Sequence, residues 1–384
     1  MTMNKIRVLS VFGTRPEAIK MAPLVHALAE RPEFESLCCL TGQHREMLDS
    51  VMEIFRLEAD YDLNIMEKQQ TLSTITTKTL LGMEKVFEEA KPDLVLVHGD
   101  TSTTFAGALA AFYHKVPVGH VEAGLRTYDI YSPYPEEMNR VLVGDIARLH
   151  FSPTAANAEN LRKEAIQGEI IITGNTVIDA MKTTVRPDFV FSDPELNRLD
   201  FENKRVITMT CHRRENYGQP MEQIMAAVRQ IVEDYEDVEI VYPVHLSPVV
   251  QECARRNLGD LDRVHLIAPV DVETMHNLMA RSCFILTDSG GLQEEAPAMG
   301  KPVLVLRRET ERPEAIAAGT AKLAGVETED ILRLVRELLE DKEIYDSMAK
   351  AVNPYGDGEA CGRIADAISW YFGHCQERPV DFKG

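Results

Sequence analysis

The sequence lacks the features that would place it in several common classes of protein. No apolar run approaches the ~20 residues that a membrane-spanning helix needs. No Gly-x-Gly-x-x-Gly occurs, which argues against a tightly bound dinucleotide, and no Gly-x-x-x-x-Gly-Lys-Ser/Thr occurs, which excludes a P-loop. Residues 1–7 have no signal-peptide layout. We therefore expect a cytoplasmic protein without a redox cofactor.

The sequence also lacks the cysteine spacing and the clusters of metal ligands that are typical of disulfide-rich and zinc-binding proteins. The seven cysteines are scattered and no Cys-x-x-Cys occurs, which argues against a disulfide framework or a zinc site. His98 and Asp100, like His120 and Glu122, are separated by a single residue, a spacing that does not indicate a metal site. We predict that the protein holds no metal.

The sequence has fewer positively than negatively charged residues, with 41 Lys and Arg against 61 Asp and Glu, and its formal net charge is −20. Such a charge repels nucleic acid and anionic membranes, so we expect neither as a partner. An anionic small molecule can still bind where cations cluster locally. Several arginines stand at or near the ends of strand-like runs, where they are either scattered surface charge or ligands of such an anion: Arg15, Arg213, Arg214, Arg307, Arg308 and Arg312.

Short apolar runs alternate with longer amphipathic stretches along most of the 384 residues. This alternation predicts the α/β class, with parallel sheets covered by helices on both faces. It stops in a polar, Asp-rich segment and then restarts, which indicates two Rossmann-like domains facing across a cleft. We predict a first domain at 1–180 joined by a C-terminal helix at 366–384, a linker at 181–204 and a second domain at 205–365.

Polar residues follow the predicted strands, where ligands bind to open α/β sheets. Gly13-Thr14-Arg15-Pro16 comes after the first strand and is either an ordinary strand-to-helix turn or an anion site on backbone N–H groups.

Three carboxylates, Asp100, Glu122 and Glu136, stand at strand ends or helix starts. Each alone could stabilise a helix N-terminus, but three at one edge of a sheet favour acid–base chemistry.

The second half carries a candidate diphosphate site. Ser289-Gly290-Gly291 lies between a strand and a helix, where backbone N–H groups can approach phosphate oxygens. Glu295 follows one turn later and could accept both hydroxyl groups of a ribose. His212, followed by two arginines, also stands at a strand end. The alternative interpretation of the Ser-Gly-Gly turn is a simple helix N-cap.

Long gapless blocks between about residues 7 and 368 resemble the bacterial non-hydrolysing UDP-N-acetylglucosamine 2-epimerases. Among these blocks are GTRPEAIKMAPL, TGQHREML, VHGDTSTT, GHVEAGLRT, SPYPEEMNR, CHRRENYG, YPVHLSP and LTDSGGLQEEAPAMGKPVLVLR. The resemblance implies the two-domain GT-B architecture, a homodimer, and interconversion of UDP-N-acetylglucosamine and UDP-N-acetylmannosamine for the synthesis of surface polysaccharides.

The resemblance also implies roles for individual residues. The implied catalytic residues are Asp100, Glu122, Glu136 and His212. The implied nucleotide and phosphate contacts are Arg15, Lys20, His212, Ser289, Gly290, Gly291, Glu295 and Arg312. A second, regulatory substrate site would include Gln43, Glu46, Gln69, Glu136, Arg213 and His245. Family members with that site have Gln where this chain has Glu46 and Arg where it has Gln69.

The chemistry of the substrate explains why several carboxylates are needed. The C2 proton of this sugar is not next to a carbonyl, so enolisation is not available. Loss of UDP from C1 with removal of the C2 proton would give 2-acetamidoglucal, and UDP would then add back. The open alternatives are a GT-B glycosyltransferase, a hydrolysing epimerase, a nucleotide-sugar sensor, and a 2-epimerase of a related UDP-2-acetamido sugar.

Overall fold

The computed structural model describes residues 5–43, 45–67 and 70–384, apart from the side chains of Glu46 and Met47. The chain divides into two compact units. Unit 1 comprises Met1–Thr183 and Tyr355–Gly384, and unit 2 comprises Thr184–Pro354. Within the described ranges, no helix is both long enough and apolar enough to cross a membrane.

Unit 1 is built on a seven-stranded sheet with the order β3-β2-β1-β4-β5-β6-β7, in which every pairing is parallel. The strands are β1 (Ile6–Phe12), β2 (Phe34–Leu40), β3 (Tyr61–Asp62), β4 (Leu94–His98), β5 (Val118–Val121), β6 (Leu149–Ser152) and β7 (Glu169–Ile172). The helices are α1 (Arg15–Ala29), α2 (Arg45–Phe55), α3 (Leu72–Ala90), α4 (Ser102–Tyr113), α5 (Glu136–Ile146), α6 (Ala155–Lys163) and α7 (Thr176–Thr184).

Unit 2 repeats this plan with a six-stranded parallel sheet of the order β10-β9-β8-β11-β12-β13. The strands are β8 (Arg205–Thr210), β9 (Val238–Pro243), β10 (Val264–Ile267), β11 (Ile285–Thr287), β12 (Val303–Val305) and β13 (Ala321–Leu323). The helices are α8 (Gln219–Asp234), α9 (Pro248–Leu258), α10 (Val272–Arg281), α11 (Gly290–Glu295), α12 (Pro313–Ala318), α13 (Thr328–Glu340) and α14 (Lys342–Ala349). The last helix, α15 (Ala360–Tyr371), belongs to unit 1.

Both sheets have the strand order of a Rossmann fold, and the predicted α/β class with two Rossmann-like domains is confirmed. The central strands are apolar and buried; all five residues of β4, for example, are inaccessible to solvent or nearly so. In each sheet the order reverses between two neighbouring strands, β1 and β4 in unit 1 and β8 and β11 in unit 2. The turns that leave the carboxyl ends of these strands therefore diverge and leave room for a ligand.

The predicted boundaries of the second domain are wrong at both ends. In the segment predicted as a linker at 181–204, Phe191 and Leu196 are buried in a cluster with Val206 and Val241, and all but the first three residues of the segment are part of unit 2. At the other end, α15 begins at residue 360, and its apolar side chains pack in the core of unit 1 beside α1. The sequence does not reveal that these apolar side chains are buried. Their burial in the two cores places both boundaries elsewhere in the chain than predicted.

We predict that Asp179 is important for docking α15, because its carboxylate accepts the backbone N–H groups of Ala360 (3.2 Å) and Cys361 (2.9 Å). Asp179→Ala should lower the free energy of unfolding by about 1–3 kcal/mol, because two buried N–H groups lose their partner. Denaturant unfolding measures the effect. The matched control is Asp366→Ala, which removes an exposed ion pair with Arg31 and should change stability little. Equal losses in the two variants would contradict the docking role.

Candidate active site

The turn after β1 is fixed by Glu17, a buried residue in the first turn of α1. The Glu17 carboxylate accepts hydrogen bonds from the backbone N–H groups of Gly13 (3.1 Å) and Thr14 (2.8 Å), and from the hydroxyl of Thr14. Its other oxygen accepts the hydroxyl groups of Thr101 (2.7 Å) and Thr104 (3.0 Å), which follow β4. One carboxylate thus ties together the turns after the two strands where the order reverses. This role was not predicted from the sequence, although Thr14-x-x-Glu17 is the pattern of a capping box.

A cavity of about 450 Å³ opens beside these turns in unit 1. It is lined by Thr14, Arg15, Pro16, Gln43, Leu72, Asp100, Thr101, Ser102, Pro135 and Glu136. Four of the residues singled out from the sequence, Arg15, Gln43, Asp100 and Glu136, are therefore brought together. A cavity of this size can hold part of a nucleotide sugar.

The carboxylate of Asp100 lies beside a partly buried arginine. Arg140 donates to Asp100 Oδ2 from Nε (2.9 Å) and from Nη2 (2.6 Å). Arg140 also donates from Nη1 to Glu137 (2.9 Å), whose other oxygen accepts the backbone N–H groups of Thr127 and Tyr128. Burial lowers the pKa of Arg140, but the neighbouring Asp100 and Glu137 outweigh it and raise the pKa above its usual value. Asp100 is therefore held in place by a permanent cation, which the sequence analysis did not identify.

Glu122 lies against two side chains of unit 1, Lys20 and His98. Lys20 Nζ lies 2.6 Å from Glu122 Oε1, and His98 Nε2 lies 3.0 Å from Glu122 Oε2. Burial opposes ionisation of Glu122, but the charge of Lys20 and the neighbouring His98 outweigh it and hold the pKa well below its usual range. Lys20, which the sequence analysis assigned to phosphate binding, is thus paired with a catalytic candidate.

Glu136 differs from the other two carboxylates because one of its oxygens, Oε2, is buried without a hydrogen-bond partner among the described residues. Glu136 is the first residue of α5, where the helix dipole favours a negative charge. It also lines the cavity. An oxygen in this position can accept a proton or a hydrogen bond from a bound ligand.

In unit 2 the corresponding turns are held by Asp288, which is fully buried. Its Oδ2 atom accepts the backbone N–H groups of His212 and Arg213, both at 2.7 Å, and the side-chain amide of Asn216 at 3.1 Å. The His212 ring stacks on His245, with centroids 5.4 Å apart. Burial lowers the pKa of His212; Asp288 acts in the opposite direction, but the net shift is downward.

The Ser289-Gly290-Gly291 turn starts α11 and is surrounded by charged side chains. A Cβ atom on Gly290 would lie 3.8 Å from the guanidinium groups of both Arg213 and Arg312. A Cβ atom on Gly291 would lie 3.2 Å from Glu295 Oε1. Glycine therefore adds no side chain to a turn that lies next to two arginines, as the binding of an anion to backbone N–H groups requires.

Two neighbouring contacts position the side chains of this turn in unit 2. Arg312 forms an ion pair with Glu294. Glu295 Oε2 lies 3.2 Å from His276 Nε2, and Nδ1 of the same ring lies 2.6 Å from the hydroxyl of Thr184. Neither Glu294 nor His276 was identified from the sequence.

The residues assigned to a regulatory site are only partly described. Gln43 lines the unit 1 cavity and accepts a hydrogen bond from Thr103 (3.0 Å). Arg213 and His245 lie in unit 2, next to the Ser-Gly-Gly turn and to His212, respectively. Gln69 and the side chain of Glu46 lie outside the described part of the chain. Across the described residues, no group of three or more His, Cys, Asp or Glu side chains could hold a metal ion.

Comparison with known proteins agrees with a chain that contains two Rossmann-like units. The family model for UDP-N-acetylglucosamine 2-epimerase matches residues 26–369. The chain belongs to this family. The UDP-N-acetylglucosamine 2-epimerase of Bacillus subtilis is 55% identical to it over 383 residues, which cover 100% of both proteins. The chain is therefore an enzyme of the isomerase class.

Solved structures show the same fold over nearly the whole chain. A crystal structure of a UDP-N-acetylglucosamine 2-epimerase has a TM-score of 0.92 and 53% identity, and 100% of each chain is covered. The enzyme from Neisseria meningitidis, bound to UDP-GlcNAc, has a TM-score of 0.84 and 47% identity, with 94% of this chain and 99% of that chain covered. The resemblance to this family is confirmed.

We predict that Asp288 sets the protonation of His212. Asp288→Asn removes the carboxylate that raises the pKa of His212, so burial, His245 and Arg213 should lower this pKa further. NMR titration of the imidazole signals measures the change. His265, which pairs with Glu239 instead, is an internal control whose signals should be the same in both proteins. An unchanged or raised pKa of His212 would rule out this role for Asp288.

Proposed function

We propose that this epimerase interconverts UDP-N-acetylglucosamine and UDP-N-acetylmannosamine at C2 by elimination and re-addition of UDP. The C1–O bond breaks and UDP leaves with its electron pair. The C2 proton is removed, and a C1–C2 double bond forms in 2-acetamidoglucal. Addition of UDP to C1 and of a proton to the opposite face of C2 gives the epimer. The reaction is balanced without an oxidant or a reductant, so it needs no redox cofactor.

The observation that carries this proposal is that the three carboxylates of unit 1 have different surroundings. Asp100 and Glu136 both line the cavity, and Glu136 has an oxygen without a partner among the described residues. Glu122 is buried against Lys20 and His98 and is held ionised. We assign the two proton transfers to Glu136 and Asp100, and the stabilisation of positive charge on the sugar ring to Glu122.

The leaving diphosphate needs donors and cations, which unit 2 supplies. We assign the phosphate oxygens to the N–H groups of the Ser289-Gly290-Gly291 turn, flanked by Arg213 and Arg312. Glu295, oriented by His276, would accept the ribose hydroxyl groups. His212 and Arg15 would add donors to the diphosphate, and Lys20 would act on it only if its ion pair with Glu122 opened. The Neisseria relative, bound to UDP-GlcNAc, supports a ligand of this class.

We also propose that the enzyme is a cytoplasmic homodimer. Several large apolar side chains are exposed on neighbouring helices α3, α4 and α5 of unit 1, and their exposed fractions reach 66%. These residues are Leu81, Phe112, Tyr113 and Leu142. An exposed apolar face of this kind is typical of a subunit interface. Sedimentation of the wild type and of Phe112→Ser would show whether association depends on it.

Regulation by a second substrate molecule remains a proposal. It would involve Gln43, Glu136, Arg213 and His245 together with Glu46 and Gln69, the two positions where the chain departs from the family pattern. A carboxylate at 46 and an uncharged amide at 69 change the local charge by about two units relative to Gln and Arg. We therefore expect weaker binding of an anionic activator than in family members with Gln and Arg.

The decisive experiment is proton NMR of UDP-N-acetylglucosamine with the purified enzyme in deuterated water. We expect a new manno anomeric signal and deuterium at C2 of both epimers, because the C2 proton exchanges during each elimination. Release of free N-acetylmannosamine with UDP would instead identify a hydrolysing enzyme. Absence of reaction until an acceptor is added would identify a glycosyltransferase.

Replacing Glu136 should separate proton transfer from binding. In Glu136→Gln we expect deuterium incorporation to fall about 10²–10⁴-fold, because the amide cannot take up the C2 proton. UDP affinity, measured by calorimetry, should stay within about threefold of wild type, because this interaction acts in the transition state and not in nucleotide binding. The matched control is Glu159→Gln on α6, which is half-exposed and away from the cavity. A variant that exchanges the proton at the wild-type rate would exclude Glu136 as the proton carrier.

A further inference from the structure

Besides Lys20 and His98, Glu122 has a third polar neighbour. Nδ2 of Asn175 donates a hydrogen bond to Glu122 Oε1 at 3.2 Å, the same oxygen that Lys20 contacts at 2.6 Å. Asn175 is a buried residue with an exposed fraction of 3%, and it lies in the turn between β7 and α7. His98 contacts the other oxygen of Glu122. Both oxygens of the carboxylate are therefore occupied by side chains from three different elements.

Asn175 is itself held rigidly on its other sides. Its Oδ1 atom accepts the backbone N–H of Val177 at 3.1 Å, which fixes the orientation of the amide, so that Nδ2 faces Glu122. Its backbone N–H donates to the carbonyl of Tyr355 at 2.6 Å. The donor that faces Glu122 is therefore supported by both the α7 turn and the segment that returns to unit 1.

The backbone of Glu122 shows why such support is needed. Its φ angle is +62°, in the left-handed region that is uncommon for a residue other than glycine. Strain of this kind persists only where the surroundings over-determine the conformation. The hydrogen bonds and ion contacts on both carboxylate oxygens fix Glu122 in this conformation. A loss of one of them would allow the side chain to move.

We propose that Asn175 is a positioning residue that holds the Glu122 carboxylate, together with His98, in the orientation that the reaction needs. This inference rests on the proposed role of Glu122 at the sugar ring. Asn175 acts through Glu122 and takes no part in proton transfer. A displacement of a reacting group by about 1 Å can lower a rate about 100-fold, so a buried amide can determine turnover without touching the substrate.

The test exploits the difference between an amide and a carboxyl group at this position. In Asn175→Asp the introduced carboxyl faces an ionised Glu122, and like charges raise its pKa. Below that pKa the introduced group is protonated and can donate to Glu122 Oε1, as the amide does. Above it, both groups are ionised and repel each other, and Glu122 is displaced. The charged and titratable groups that face Glu122 are Lys20 from α1 and His98 from β4.

We therefore expect kcat of Asn175→Asp to be near the wild-type value at the acidic end of a series from about pH 5 to 9 and to fall steeply as the pH rises. Asn175→Ala should lose about 10- to 100-fold in kcat at every pH, with KM changed less than threefold or so. Thermal unfolding of each variant over the same series shows that the protein stays folded. His98→Gln, which acts on the other oxygen, serves if Asn175→Asp does not fold, and should also lower kcat more than it changes KM.

A matched control is Asn197→Asp in unit 2. Asn197 has the same pattern, because its Oδ1 accepts the backbone N–H of Phe191 and its Nδ2 donates to an oxygen, here the carbonyl of Phe191. This variant should keep the wild-type pH profile. If the wild type epimerises but Asn175→Asp and Asn175→Ala lose equal kcat at every pH, the positioning role is overturned. A wild type that exchanges no C2 proton would instead overturn the proposed function.

Discussion

Both units depend on one constraint, that a carboxylate removed from water must be surrounded by donors or cations. Glu17 in unit 1 and Asp288 in unit 2 meet it in the same way. Glu17, which follows β1, accepts backbone N–H groups of its own turn and the hydroxyl group of Thr101 after β4. Asp288, which follows β11, accepts backbone N–H groups of the turn after β8. The turns that carry the candidate active-site residues are thereby locked to each other in each unit.

The same constraint differentiates the carboxylates of the proposed reaction. Asp100 lies against Arg140, and Glu122 against Lys20 and His98, so these two groups are compensated inside the protein. Glu136 keeps one oxygen without a partner among the described residues. A protein with a formal net charge of −20 thus places its cations next to individual carboxylates and next to the proposed phosphate turn. Local placement and not total charge determines which anions it can bind.

The sequence predicted much of the fold because buried parallel strands are short and continuously apolar. β1 and β4 fit this pattern, because most of their residues are apolar and buried. It did not reveal α3, whose first turns are rich in threonine, or the two-residue β3, which is too short for a periodic pattern. The domain boundaries were misplaced because the packing of α15 on α1 joins residues that are far apart in the chain.

For the site, the sequence by itself determined which residues stand at the ends of strands, since the alternation of apolar and polar residues fixes where each strand stops. It therefore identified Arg15, Asp100, Glu122, Glu136, His212 and the Ser289-Gly290-Gly291 turn. The tertiary structure alone decided the partners of these residues, namely Arg140 for Asp100, His98 and Asn175 for Glu122, and His276 for Glu295. Such partners come from other strands and helices, and their spacing in the chain carries no signal, because hydrogen bonds and ion pairs depend on distances of about 3 Å in space.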